Sequence, residues 1–130
     1  MLGRQSQTVS PTIMVVANDL KLLKLLDMAL KIELACEVLS FVSSRSVEET
    51  ALHIIPNLLI LDGQLSDCDA YELSSRLHHM RGLEYVPTLL INVVTLCQSE
   101  VQMYPILVIG KSWKIEALYT AVGELLGHTI

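Results

Sequence analysis

The sequence predicts an α/β protein built on a doubly wound, five-stranded parallel sheet with helices on both faces. Three observations carry this. Short apolar runs recur along the chain, each too brief for a helix and too continuous for a strand with one wet face. Between them lie stretches whose apolar residues repeat at intervals of three and four. Neither kind approaches the roughly 18 apolar residues of a membrane span, because Lys21, Lys24, Asp27 and Lys31 interrupt the longest one.

Residues 12–17 (Thr-Ile-Met-Val-Val-Ala) form the first strand, and Asn18-Asp19 directly after it offers a helix cap. Over residues 20–32, Leu22, Leu25, Leu26, Ala29 and Leu30 share one helical face, with the lysines and Asp27 on the other. Residues 37–42 make the second strand. Ser46-Val47-Glu48-Glu49 has the capping-box pattern, opening a short helix that Pro56 closes. The third strand, residues 58–62, is Leu-Leu-Ile-Leu-Asp: four branched apolar residues running into one carboxylate. A polar loop follows, and Asp69-Ala70-Tyr71-Glu72 opens a helix with Leu73, Leu77 and Met80 inward. Residues 88–93 after Pro87 are the fourth strand, residues 95–104 have room for two helical turns, and residues 105–109 are the fifth strand. The last helix carries Ile115, Leu118, Tyr119, Val122, Leu125 and Leu126 on one stripe and stops at Gly127. Residues 1–11 are expected to be a flexible segment and residues 12–127 a single domain.

With a net charge of −5 and no basic run, this chain alone is not expected to bind nucleic acid. The residues before the first strand are polar and hold no signal-peptide core, so the expected location is the cytoplasm, with no membrane association. Cys36, Cys68 and Cys97 are odd in number and lie in no metal-ligand spacing, which fits reduced thiols.

Most catalytic patterns are missing. There is no Gly-x-Gly-x-x-Gly for a dinucleotide. Gly110-Lys111-Ser112 resembles the end of a phosphate-binding loop, but Pro105 stands where its first glycine belongs. His78 and His79 are adjacent, face different ways on a helix and make a poor metal pair. No serine or cysteine has a base and an orienting acid beside it in sequence. What remains is Asp62, at the carboxyl end of a buried strand, where open α/β sheets place their chemistry. The plain alternative is that Asp62 starts a turn. Asn18, Asn92 and Lys111 also lie at strand ends, and right-handed crossovers bring such ends to one rim.

Four segments taken in order, across about residues 12–126, resemble the receiver domain of bacterial response regulators. Ile13-Met14-Val15-Val16-Ala17-Asn18-Asp19 is similar to the first strand and its acidic cluster, and the stretch from Leu59 to Leu73 to the phospho-acceptor segment. Val86-Pro87-Thr88-Leu89-Leu90-Ile91-Asn92 is similar to the fourth strand, and Ile109-Gly110-Lys111-Ser112-Trp113 to the Lys-Pro-aromatic signature. The resemblance implies a flavodoxin-like fold with strand order 2-1-3-4-5. It implies a non-enzymatic module of two-component phosphorelay signalling. A histidine kinase or phosphotransfer protein would be the donor and a further protein the downstream partner. Asp62 would be the phospho-acceptor and Lys111 its counter-charge. Asn92 stands at the position of the switch Ser or Thr, and Asn18, Asp19 and Asp62 at a Mg²⁺ site.

The departures from that pattern are specific. The two acids expected after the first strand are replaced by Ala17 and Asn18, with Asp19 one position further on. At an effective dielectric near 20, a unit charge pair at roughly 4 Å is worth about 4 kcal/mol before desolvation, so Mg²⁺ binding is expected to be weak. Asn92 replaces a hydroxyl, Ser112 a proline and Val108 a switching aromatic. Without an adequate metal, Asp62 and Lys111 are expected to form a standing ion pair. The alternative reading is a pseudo-receiver, a phosphorylation-independent scaffold for protein interaction or dimerisation. The apolar first and last helices permit a homodimer.

Overall fold

The computed structural model describes residues 10–93 and 104–127. In chain order the elements are β1 (Thr12–Val16), α1 (Leu20–Leu34), β2 (Glu37–Phe41), α2 (Ser44–Ala51), β3 (Leu58–Asp62), α3 (Ala70–His78), β4 (Thr88–Val93), β5 (Ile106–Gly110) and α4 (Ile115–Gly127). The strands pair in parallel throughout, in the expected order β2-β1-β3-β4-β5. The helical turns expected over residues 95–104 lie, apart from Tyr104, outside the described residues. So does the N-terminal segment before Ser10.

The two-residue period of the strands sorts their side chains into two cores. Ile13, Val15, Leu58, Ile60, Leu89 and Ile91 point to one face and pack with Leu23, Leu26 and Leu30 of α1 and Leu118, Val122 and Leu125 of α4. Met14, Val16, Leu59, Leu61 and Leu90 point to the other, against Val47 and Ala51 of α2 and Leu73 and Leu77 of α3. Every residue of β3 is buried. Fully burying one such aliphatic side chain is worth roughly 1.5–3 kcal/mol, so β3, between β1 and β4, is fixed more firmly than either edge strand.

Two helix starts fall where the sequence places them and one does not. The Asp19 carboxylate accepts from Lys21 N at 2.9 Å and Leu22 N at 3.5 Å, capping α1. Asp69 accepts from Tyr71 N at 2.7 Å, capping α3. For α2 the cap is Ser43, whose Oγ accepts from Ser46 N at 3.2 Å. The apparent box beginning at Ser46 lies inside the first turn, because three serines in four positions gave the backbone an earlier acceptor. The helix stops at Ala51, before Pro56.

At the opposite rim from Asp62, the buried His78 stacks on Tyr104 with ring centroids 3.4 Å apart. Its Nδ1 lies 2.6 Å from Ser74 O, and its Nε2 lies 2.9 Å from Val86 O and 3.0 Å from Thr88 Oγ1. A neutral imidazole has a single N–H. Whichever nitrogen carries it can donate to a carbonyl, while the bare nitrogen accepts from Ser74 or Thr88. Burial pushes the His78 pKa below its ordinary value of 6.5, against an opposing pull from the two carbonyls. The unfolded chain therefore takes up the proton first. Stability from this group is complete above about pH 6.5 and is lost as pH falls from there towards the depressed folded value. In urea titrations at pH 7.5 and 5.5, His78→Gln should lose less stability on acidification than the unaltered protein.

Candidate functional site

Parallel pairing sets Val16 beside Leu61, Asp62 beside Ile91, and Val93 beside Gly110. The ends of β1, β3, β4 and β5, and with them Asn18, Asp62, Asn92 and Lys111, thus meet at one rim. Asp62 is 3% exposed. Its Oδ1 accepts from Gln64 N at 2.9 Å and from Asn92 Nδ2 at 3.2 Å. The first bond is the local turn that aspartate commonly makes two residues ahead, so Asp62 both starts a turn and ends the buried strand. Its Oδ2 takes no hydrogen bond among the described residues. Every buried side-chain polar atom there has a partner, so Oδ2 must touch solvent. The loop that follows Asp62 lines a cleft, with Gly63, Leu65, Cys68, Tyr71 and Val93 on its walls.

Asn92 is the pivot of the site. Its φ is 58°, in the left-handed region that Asn tolerates and β-branched residues avoid. The β4–β5 register shifts between Leu90 and Val93. This bulge aims the Asn92 amide across to Asp62 and leaves its Oδ1 to accept from Trp113 Nε1 at 2.9 Å. Three side chains are thereby joined in line: acid, amide and indole. Gln64 Nε2 donates to Asn92 O at 3.0 Å, and Gly63 N donates to Ile91 O at 2.7 Å. Gln64 and Trp113 were not singled out as site residues from sequence. The turn tendency of Asp62 was the available signal for the first; a bond made through a strand bulge left none for the second.

Lys111 is exposed, and among the described residues no carboxylate forms an ion pair with it. The expected standing pair with Asp62 is not formed. Oδ1 of Asp62 already has two N–H donors. In addition, Ser112 takes φ 67°, a turn that proline, held near −65°, could not make. The segment leading into α4 therefore follows its own path, fixed at Trp113.

The candidate metal ligands are engaged elsewhere. Asp19 caps α1. Asn18 Oδ1 accepts from Ser66 N, and its Nδ2 donates to Val42 O at 2.6 Å. Among the described residues no group of three His, Cys, Asp or Glu side chains could hold a metal. Mg²⁺ takes a near-octahedral shell of oxygens, and one unbonded carboxylate oxygen on Asp62 does not fit that demand.

No family model matches the chain, and no curated protein does. Solved structures do. A CheY-like receiver domain from Methanospirillum hungatei superposes with a TM-score of 0.77 at 18% identity, covering 93% of this chain and 97% of that one. The chemotaxis response regulator CheY4 of Vibrio cholerae gives 0.77 at 12%, covering 90% and 99%. The receiver domain of a Pseudomonas aeruginosa sensor histidine kinase gives 0.74 at 14%, covering 92% and 99%. The fold is that of a response-regulator receiver domain. The Pseudomonas receiver holds a magnesium ion in its active-site cleft, whereas this receiver fold offers the poor ligand set just described.

Three outcomes follow, from the packing at Gly63 and Gly123 and from the line of bonds at Asp62. A Cβ on Gly63 would meet Asn92 O at 3.0 Å, Ile91 O at 3.1 Å and Val93 Cα at 3.2 Å, all backbone. Gly63→Ala should destabilise the fold by about 1–3 kcal/mol in urea titration. Gly123→Ala, on α4 with nothing within 4 Å, should stabilise it by roughly 0.5–1 kcal/mol. Trp113 is the only tryptophan, so its emission reads the acid–amide–indole line. Asp62→Asn should shift that emission, and the shift should vanish when Asn92→Ala is also present.

Proposed function

We propose that this chain is a receiver module of two-component phosphorelay signalling whose phosphorylation is impaired. Asp62 is the phospho-acceptor, a histidine kinase or phosphotransfer protein the donor, and a further protein the downstream partner, all in the cytoplasm. The observation that carries this reading is the state of the Asp62 carboxylate: buried at the end of β3, with Oδ1 held by two N–H donors and Oδ2 unbonded. Oδ2 is then the nucleophile. It attacks phosphorus, the donor's leaving group departs with the bonding electron pair, and a mixed anhydride forms at Asp62. Asn92 Nδ2 steadies the carboxylate during attack. Lys111, on a long flexible stem, swings in as counter-charge to the transferred group. The module adds no catalysis beyond accepting the group and losing it to water. Mg²⁺ at Asn18, Asp19 and Asp62 would be held weakly, since two of those three are engaged elsewhere.

A second reading, the phosphorylation-independent scaffold, is favoured by the outward face of α1. Leu25, Met28 and Ile32 stand 50%, 51% and 71% exposed there, at helical spacing. Such a stripe offers a surface for a protein partner or a second copy.

Acetyl phosphate with millimolar Mg²⁺ separates the two readings. The first expects slow gain of the mass of one phosphoryl group, abolished by Asp62→Asn and slowed by Lys111→Ala. No gain of mass over hours, even at high Mg²⁺, leaves the scaffold as the function.

A further inference from the structure

At this rim, Asn18, Asp19, Asp67 and Asp69, all possible metal ligands by type, are bonded to backbone. Asp19 and Asp69 cap helices. Asp67 Oδ2 accepts from Ser44 N at 2.8 Å, a bond that lowers its pKa below the usual carboxylate value. Asn18 reaches in two directions, accepting from Ser66 N and donating to Val42 O at 2.6 Å. The two residues therefore stitch three loops together. Asn18 joins the β1–α1 loop to the β2–α2 loop and to the β3–α3 loop. Asp67 joins the last two a second time.

We infer that Asn18, aided by Asp67, holds these three loops in place of a divalent cation, so that the rim is ordered without metal. The chemistry explains why an amide stands at position 18. The Asn18 amide accepts from a backbone N–H and donates to a backbone C=O at once, which an ionised carboxylate cannot do. A carboxylate there would keep the Ser66 bond but set its other oxygen against Val42 O. That opposition is relieved only if the loops part or a cation enters between the oxygens. A single change, Asn18→Asp, should therefore turn a metal-indifferent rim into a metal-responsive one. The inference stands apart from whether Asp62 is phosphorylated, because no phosphoryl group enters it.

Hydrogen–deuterium exchange tests it, read at the Ser44 and Ser66 amides, with β3 as the internal measure of folding and EDTA or millimolar Mg²⁺ added. In the unaltered protein both amides should exchange equally with and without Mg²⁺. Asn18→Ala should speed Ser66 by roughly tenfold, about one net hydrogen bond, and leave β3 unchanged. Asp67→Ala should speed Ser44 more than Ser66, and it carries the test if Asn18→Ala does not fold. Asn18→Asp should exchange fast in EDTA and slowly in Mg²⁺. Three results would each overturn the inference: slowing of the unaltered rim by Mg²⁺, unchanged Ser66 exchange in a folded Asn18→Ala, or an Asn18→Asp protein indifferent to Mg²⁺.

Discussion

A strand buried along its whole length ends here in a carboxylate that reaches solvent through one oxygen only, so the protein must supply donors to the other. The rest of the rim depends on this constraint. β3 cannot slide to carry Asp62 into water, because a one-residue slip would turn Leu59 and Leu61 onto the face of Leu58 and Ile60 and disrupt both cores. The charge is met instead by two N–H donors on Oδ1, one from the following turn and one from Asn92. A buried ionised group without such donors would cost several kcal/mol.

The Asn92 donor in turn constrains β4 and the lead into α4. To aim its amide at Asp62, the backbone enters the left-handed region and breaks register with β5. A threonine in that conformation would strain its branched Cβ, so threonine and this bulge exclude one another. The amide's free oxygen then fixes Trp113. The acid is thus linked to Trp113, two residues before α4, by side chains that differ from those in the resemblance.

Much of the fold was legible in the sequence because it rests on period and burial. The unbroken apolar runs of residues 12–17 and 58–62 and the caps at Asp19 and Asp69 are local patterns with local causes. The stripe of the first helix holds at Leu26, Ala29 and Leu30, but Leu25, expected on its inner face, stands 50% exposed while Leu23 enters the core. The position of Asp62 at a strand end was legible for the same reason. The partners of the candidate residues were not. Asn18 finds Ser66 and Val42, and Asn92 finds Trp113, across 48, 24 and 21 positions, and nothing in sequence spacing encodes such pairings. The absent Asp62–Lys111 pair has the same origin. The order of strands placed both residues at one rim, but the φ of Ser112 and the donors on Oδ1 decided that they do not meet. Acids near a strand end read as metal ligands by type, yet helix N-termini and loop amides compete for the same oxygens, and here they take one oxygen each of Asp19, Asp62, Asp67 and Asp69.

The arithmetic of switching then bears on which input can drive this module. Moving a two-state protein from 1:99 to 99:1 takes about 5.5 kcal/mol of differential interaction. A phosphoryl group on Asp62 that meets only an exposed lysine gains roughly 1 kcal/mol or less from that pair, and one rearranged hydrogen bond adds about 1 kcal/mol. Together they shift a population by a factor of some tens, which biases a rim already stitched by Asn18 and Asp67 but does not throw it. A protein surface covering the apolar stripe of α1 has a larger source to draw on, since each side chain of that size taken out of water is worth roughly 1.5–3 kcal/mol. Such a partner would shift the population only by the part of that free energy gained in one state and not in the other, and under the proposed function modification of Asp62 supplies a bias of a few tens-fold beside it.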